Sequence, residues 1–114
     1  METPILTMQN ADLTLRSAAR ADRARVLQHL EGGGAVTLDL SRTDVMSDSY
    51  ADELFGVLAH YFGTRWVLER VVIQGAHDMV LRTIAAAIVH RAKLRTARRA
   101  TRSMRKRAAL TLQH

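Results

Sequence analysis

Seven positions near the middle of the chain, Ser47 to Glu53, concentrate the chemistry this sequence can offer. They follow a polar turn at 42–47 and open onto an apolar periodic run, so they read as the start of a helix. The first N–H groups of a helix lack intrahelical partners, and the helix dipole favours negative charge there. A serine at that place has two uses: it caps the helix, or it holds or senses a phosphate. Ser49-Tyr50-Ala51-Asp52 has the spacing of a capping box with aspartate in place of glutamate. A cap of that kind contributes about 1 kcal/mol. Asp48, Asp52 and Glu53 add favourable charge at the same end. The candidate set for partner binding or phosphorylation is therefore Ser47, Asp48, Ser49, Tyr50, Asp52 and Glu53.

Other chemistry is thinly represented. The chain has no cysteine, which excludes disulfides, thiolate metal sites and cysteine nucleophiles. His29, His60, His77, His90 and His114 are scattered, with no His-x-x-x-His pair to share a metal on one helix. Ser49, His77 and Asp39 supply the residue types of a hydrolytic triad, but without nucleophile-elbow glycines around the serine. Gly32-Gly33-Gly34 lacks the Gly-Lys-Ser/Thr of a phosphate loop and leads into a strand. The sequence therefore points away from an enzyme and implies no cofactor and no metal.

The second concentration of chemistry is basic. Residues 1–90 hold eight basic and all eleven acidic residues, a net charge of −3; residues 91–114 hold nine basic residues and no acid, a net charge of +9. The nine are Arg91, Lys93, Arg95, Arg98, Arg99, Arg102, Arg105, Lys106 and Arg107. Leu94, Ala97, Ala100 or Thr101, Met104 and Ala108 recur at helical spacing among them, a thin apolar stripe on a helix that continues one starting near Asp78. Such a tail suits an acidic protein surface or a nucleic-acid backbone, and it also serves simply as a solvated extension. It has no aromatic residue on which bases would stack.

These groups need a scaffold. At 114 residues the chain is long enough for one core, built from Leu, Val, Ile, Ala and Met because aromatics are scarce. Ile5–Met8 and Leu13–Leu15 read as short strands, and Ser17 as the cap of a helix through Leu30 that turns Arg20, Arg23 and Arg25 outward. The glycine triplet ends that helix. Val36, Leu38 and Leu40 alternate with polar residues, a strand with one buried face. A helix follows from about Ser49 to Tyr61, with Ala51, Leu54, Phe55, Leu58 and Phe62 as its core face, ended by Gly63. Trp66–Leu68 fits a loop plug or a short strand. Val71–Ile73 reads as a strand covered on both faces. The last helix turns Met79, Val80, Ile84, Ala87 and Ile88 inward. Alternating strands and helices predict an α/β fold with a mostly parallel or mixed sheet packed by helices. The composition breaks near Arg91, which divides the chain into a body (1–90) and a basic helical tail (91–114). No stretch approaches a membrane span, and the start of the chain lacks signal-peptide features, so a cytoplasmic protein is expected. The arginine bias and abundant alanine fit a GC-rich bacterial or phage gene.

The strand-turn-helix from Val36 to Gly63 resembles the STAS domain of anti-sigma-factor antagonists, through Val36-Thr37-Leu38-Asp39-Leu40-Ser41, Val45-Met46 and Asp48-Ser49. More closely, the chain resembles a STAS-like family of bacterial proteins of unassigned function. That family carries a Ser/Thr-Tyr/Phe-Ala-Asp-Glu-Leu-Phe-Gly signature, here Ser49–Gly56, and an Arg-Ser-x-Ala-Arg helix start, here Arg16–Arg20. The resemblance spans about Leu13 to Arg91. It implies a small STAS-like domain and a non-enzymatic regulatory module that docks a protein partner at 47–53. It also implies a partner class, a histidine-kinase-like ATPase or an anti-sigma factor, with Ser49 at the position of the phosphorylated serine. Tyr50 departs from the antagonist motif, which has glycine after the serine. The alternative is a nucleic-acid-associated protein, or a phage or mobile-element inhibitor of a host, acting through the Arg-rich tail. Edge strands, Trp66 and the tail stripe offer seams for a homodimer.

Overall fold

The computed structural model describes residues 3–112, with side chains as far as Lys106. Arg107 and His114, singled out above, have side chains outside the described residues. Three strands form a parallel sheet in the order β1 (Ile5–Thr7), β3 (Val36–Asp39), β5 (Val71–Gln74). Leu38 at its centre stands between Leu6 and Ile73. A second parallel pair joins β2 (Asp12–Leu13) to β4 (Val45–Met46). The crossovers are α1 (Arg16–Leu30) before β3 and the helical stretch Asp48–Arg70 before β5. A parallel arrangement requires such crossovers, and the alternation of elements foretold it.

As the central strand, β3 is buried at Val36, Thr37 and Leu38, so even its polar Thr37 is enclosed. β5 is an edge strand with Val71 buried and Val72 half exposed, so the expectation that it is covered on both faces fails: the face that carries Val72 is open to solvent. α1 begins at Arg16 with Leu15 in the cap position and no side-chain cap, so Ser17 lies inside the first turn and is not the cap expected of it.

The second helix starts at Asp48 and runs through three pieces: α2 (Asp48–Ala51), a π-helical segment (Asp52–Gly56) and α3 (Val57–Phe62). Ala51, Leu54, Phe55 and Leu58 are buried as their spacing implies. Phe62 is exposed and stacks on Trp66 instead, ring centroids 4.4 Å apart. Gly63, at φ +94°, breaks the chain direction in a conformation that side chains disfavour, and a new helix, α4 (Thr64–Arg70), begins at once. Trp66–Leu68 is thus helical, neither plug nor strand. Trp66 is covered by the Arg70 guanidinium, 4.9 Å from its ring centroid.

α5 (Asp78–Leu112) is unbroken over 35 residues and carries the basic segment as a direct continuation of a core helix. Val80, Ile84, Ala87 and Ile88 are buried against the body, whereas Met79, in the first turn, points to solvent. The described residues extend 61 Å along their longest axis.

Candidate functional site

The start of α2 is built by the end of β4. The chain leaves Met46 extended, and Ser47 keeps that conformation (φ −75°, ψ 157°), which is what an N-cap needs. Its Oγ accepts the Tyr50 N–H at 3.0 Å and donates to the Thr14 carbonyl at 2.9 Å. The cap expected at Ser49 therefore belongs to Ser47. Ser49 sits two residues later, its Oγ 3.1 Å from Ser47 Oγ and 3.4 Å from the Thr14 carbonyl, and it is partly exposed. Asp48 is exposed beside it. Tyr50 is fully buried and donates its phenol hydrogen to Asp22 at 2.6 Å. Burial, and then the Asp22 carboxylate, push the Tyr50 phenol well above its ordinary pKa.

Asp52 does not close a capping box. It faces the gap between α1 and α5, where Arg91 grips it with both arms: Nε to Oδ1 at 2.6 Å and Nη2 to Oδ2 at 2.7 Å. Arg16 bridges the two acids, its Nη1 2.9 Å from Asp52 Oδ2 and 3.0 Å from Glu53 Oε2. Arg20 Nε holds Glu53 Oε1 at 2.7 Å. Arg23 lies 3.5 Å from the same oxygen and also donates to the Glu53 carbonyl. That carbonyl sits in the π segment, where Val57 N–H reaches back five residues to Asp52 and the regular ladder skips a partner. Arg20 and Arg23, expected to point outward, are thus turned onto α2–α3 by the carboxylates they find there. Arg25 instead pairs with Asp22 at 3.3 Å.

Arg91, opposed by burial and helped by Arg16, holds the Asp52 carboxyl at about 2. Arg20 is the main cause of a lowered Glu53. Both acids are ionised at neutral pH and occupied by guanidinium groups, so this cluster works as a clamp that fixes the π-helical segment between α1 and α5. The two signature stretches of the sequence, Arg16–Arg20 and Ser49–Gly56, meet in it. The complementary charges were the available signal; nothing in either stretch alone paired them.

Gly56 completes the clamp. A Cβ there would lie 2.8 Å from Asp52 Oδ1 and 3.0 Å from Arg91 Cγ. Gly56→Ala should therefore displace a bidentate ion pair and lower stability by about 1–3 kcal/mol, the usual range for overpacking. Urea unfolding of the two proteins measures it.

Beside the clamp lies an open groove of about 670 Å³. Asp48 and Ser49 line it from α2, Arg16 from α1, and Ala86, Arg91 and Leu94 from α5. The residues weighed for a triad are not joined: Ser49 bonds Ser47 and Thr14, Asp39 accepts the Ser41 N–H at 3.0 Å, and exposed His77 lies 3.9 Å from Asp44. Among the described residues, no group of three or more His, Asp or Glu side chains converges as a metal site. None of the described helices is long and apolar enough to cross a membrane. Of the tail cations, Arg91 belongs to the clamp and Arg95 is half buried beside Gly63. Lys93, Arg98, Arg99, Arg102, Arg105 and Lys106 are exposed.

No curated protein and no solved structure matches the chain. A family model does match, over residues 23–81, a span that includes the second helix, the Ser49–Gly56 signature and the three-stranded sheet's β3 and β5. It covers more than half of the sequence, and together with the parallel sheets packed by helices it shows that the chain belongs to the family of the STAS-like domain of unknown function, DUF4325.

Proposed function

We propose that this chain is a cytoplasmic, non-enzymatic regulatory module that docks a protein partner through 47–53 and the adjoining groove. The partner class is the one associated with anti-sigma-factor antagonists, a histidine-kinase-like ATPase or an anti-sigma factor. The observation that carries the reading is the accessible pair Asp48 and Ser49 at the groove's wall, on a helix start that Ser47 caps and four arginines hold in place. A pre-set surface of this kind loses little entropy when a partner binds. Within the set, Asp48 and Ser49 make the contact, while Tyr50, Asp52 and Glu53 support them from inside.

Binding of the purified chain to a purified histidine-kinase-like ATPase or anti-sigma factor, measured by calorimetry, tests the reading. Ser49→Glu and Asp48→Arg should each weaken binding by about tenfold or more while the circular dichroism spectrum stays unchanged, since they alter charge at a docking surface. Wild-type affinity for both variants would refute it.

A further inference from the structure

The side of α5 that faces the core carries Val80, Ile84, Ala87 and Ile88 and then Arg91. At 3.6 residues per turn, that same side continues as Arg95, Arg98, Arg102 and Arg105, with Arg99 and Lys106 next to them, all within about 120° of arc. A seam that is apolar inside the body becomes a basic ridge once the helix leaves it. From Arg98 to Lys106 the ridge is about 12 Å long. All five of its cations there are exposed, and none pairs with a carboxylate among the described residues. No Asp or Glu follows Asp78 in the sequence. The far side of the helix carries Arg82, Lys93, Ala97, Ala100 and Met104.

We propose that this ridge binds the phosphate backbone of duplex nucleic acid without regard to base sequence. The chemistry favours that partner over the two other polyanions. An acidic protein surface would be expected to seat aromatic or large apolar anchors at its centre, and the ridge has none. An anionic membrane would need a face of bulky apolar residues, and on the far side beside the ridge Lys93, Ala97, Ala100 and Met104 offer one large apolar side chain. A duplex presents closely spaced charge along its axis and a major groove as wide as a helix, and interfaces with it are polar and strongly basic. The ridge is independent of the docking surface at 47–53, so either assignment stands or falls alone.

Fluorescence anisotropy of the full chain with a short labelled duplex of mixed sequence tests the proposal. Five phosphate contacts give a log–log salt slope of about −4 to −5. Arg98→Gln combined with Arg102→Gln should reduce the slope by about 2 and weaken binding about tenfold at low salt. Arg82→Gln combined with Lys93→Gln removes the same charge from the far side and should leave the slope unchanged. Circular dichroism verifies that both double variants keep their helix. Equal losses from the two double variants, or no duplex binding at low salt, overturn the proposal. So does displacement of the duplex by an equal charge of polyglutamate or of anionic vesicles.

Discussion

Tyr50→Ala should lower the free energy of unfolding by about 3–5 kcal/mol, the range for removing a fully buried aromatic side chain. Its ring has no exposed surface, and its hydroxyl is bonded to Asp22, so truncation opens a cavity and strips a carboxylate of a partner. Tyr50→Phe separates the two effects. It keeps the ring, leaves Asp22 to Arg25 alone, and should cost about 1–2 kcal/mol. Urea unfolding with unchanged m-values reads both. A Tyr50→Ala protein as stable as the parent would mean that the side chain packs against a partner and not inside the chain.

Asp52→Asn should cost about 1–2 kcal/mol, because Arg91 and Arg16 are left facing an uncharged group in a partly enclosed site. The change also has a pH signature. The Asp52 carboxyl ordinarily titrates at 3.8 and here at about 2. A lowered folded-state value gives stability that is fully present above the unfolded value and is lost as pH falls through the folded one. The contribution, at most about 2 kcal/mol, therefore persists at neutral pH and disappears between about pH 4 and pH 2. Glu53, lowered by Arg20, acts in the same direction. Stability measured against pH should show a smaller acid loss in Asp52→Asn than in the parent. Identical acid slopes would show that the Arg91 grip contributes nothing.

Periodicity located the elements well where a run was long or a strand central. The helix to Leu30, the Val36 strand and the inward face at Val80, Ile84, Ala87 and Ile88 were all legible, because each repeats its pattern over several turns or positions. Short stretches were not. Trp66–Leu68 lies in a seven-residue helix that buries Val67 and half-covers Trp66, too little for a period to show. Phe62 and Met79 match the spacing of a buried face but stand at the ends of their helices, where the body no longer covers them. The cap moved from Ser49 to Ser47 because two serines stand within three positions ahead of the same apolar run and only the end of β4 decides which one is extended. The clamp was the least visible part. Arg16, Arg20 and Arg23 and the Asp52–Glu53 pair are some thirty residues apart, and exposed arginine is the ordinary reading of arginine until a fold brings an acid to it.

Arg91 stands at the point where composition shifts from mixed to basic, yet its guanidinium is spent on a carboxylate in the second helix. Anyone trimming this molecule for crystallisation or isotope labelling at the charge boundary would sever that bond and leave Asp52 with Arg16 alone. A shortened version meant to report on the folded part must keep at least one helical turn past it.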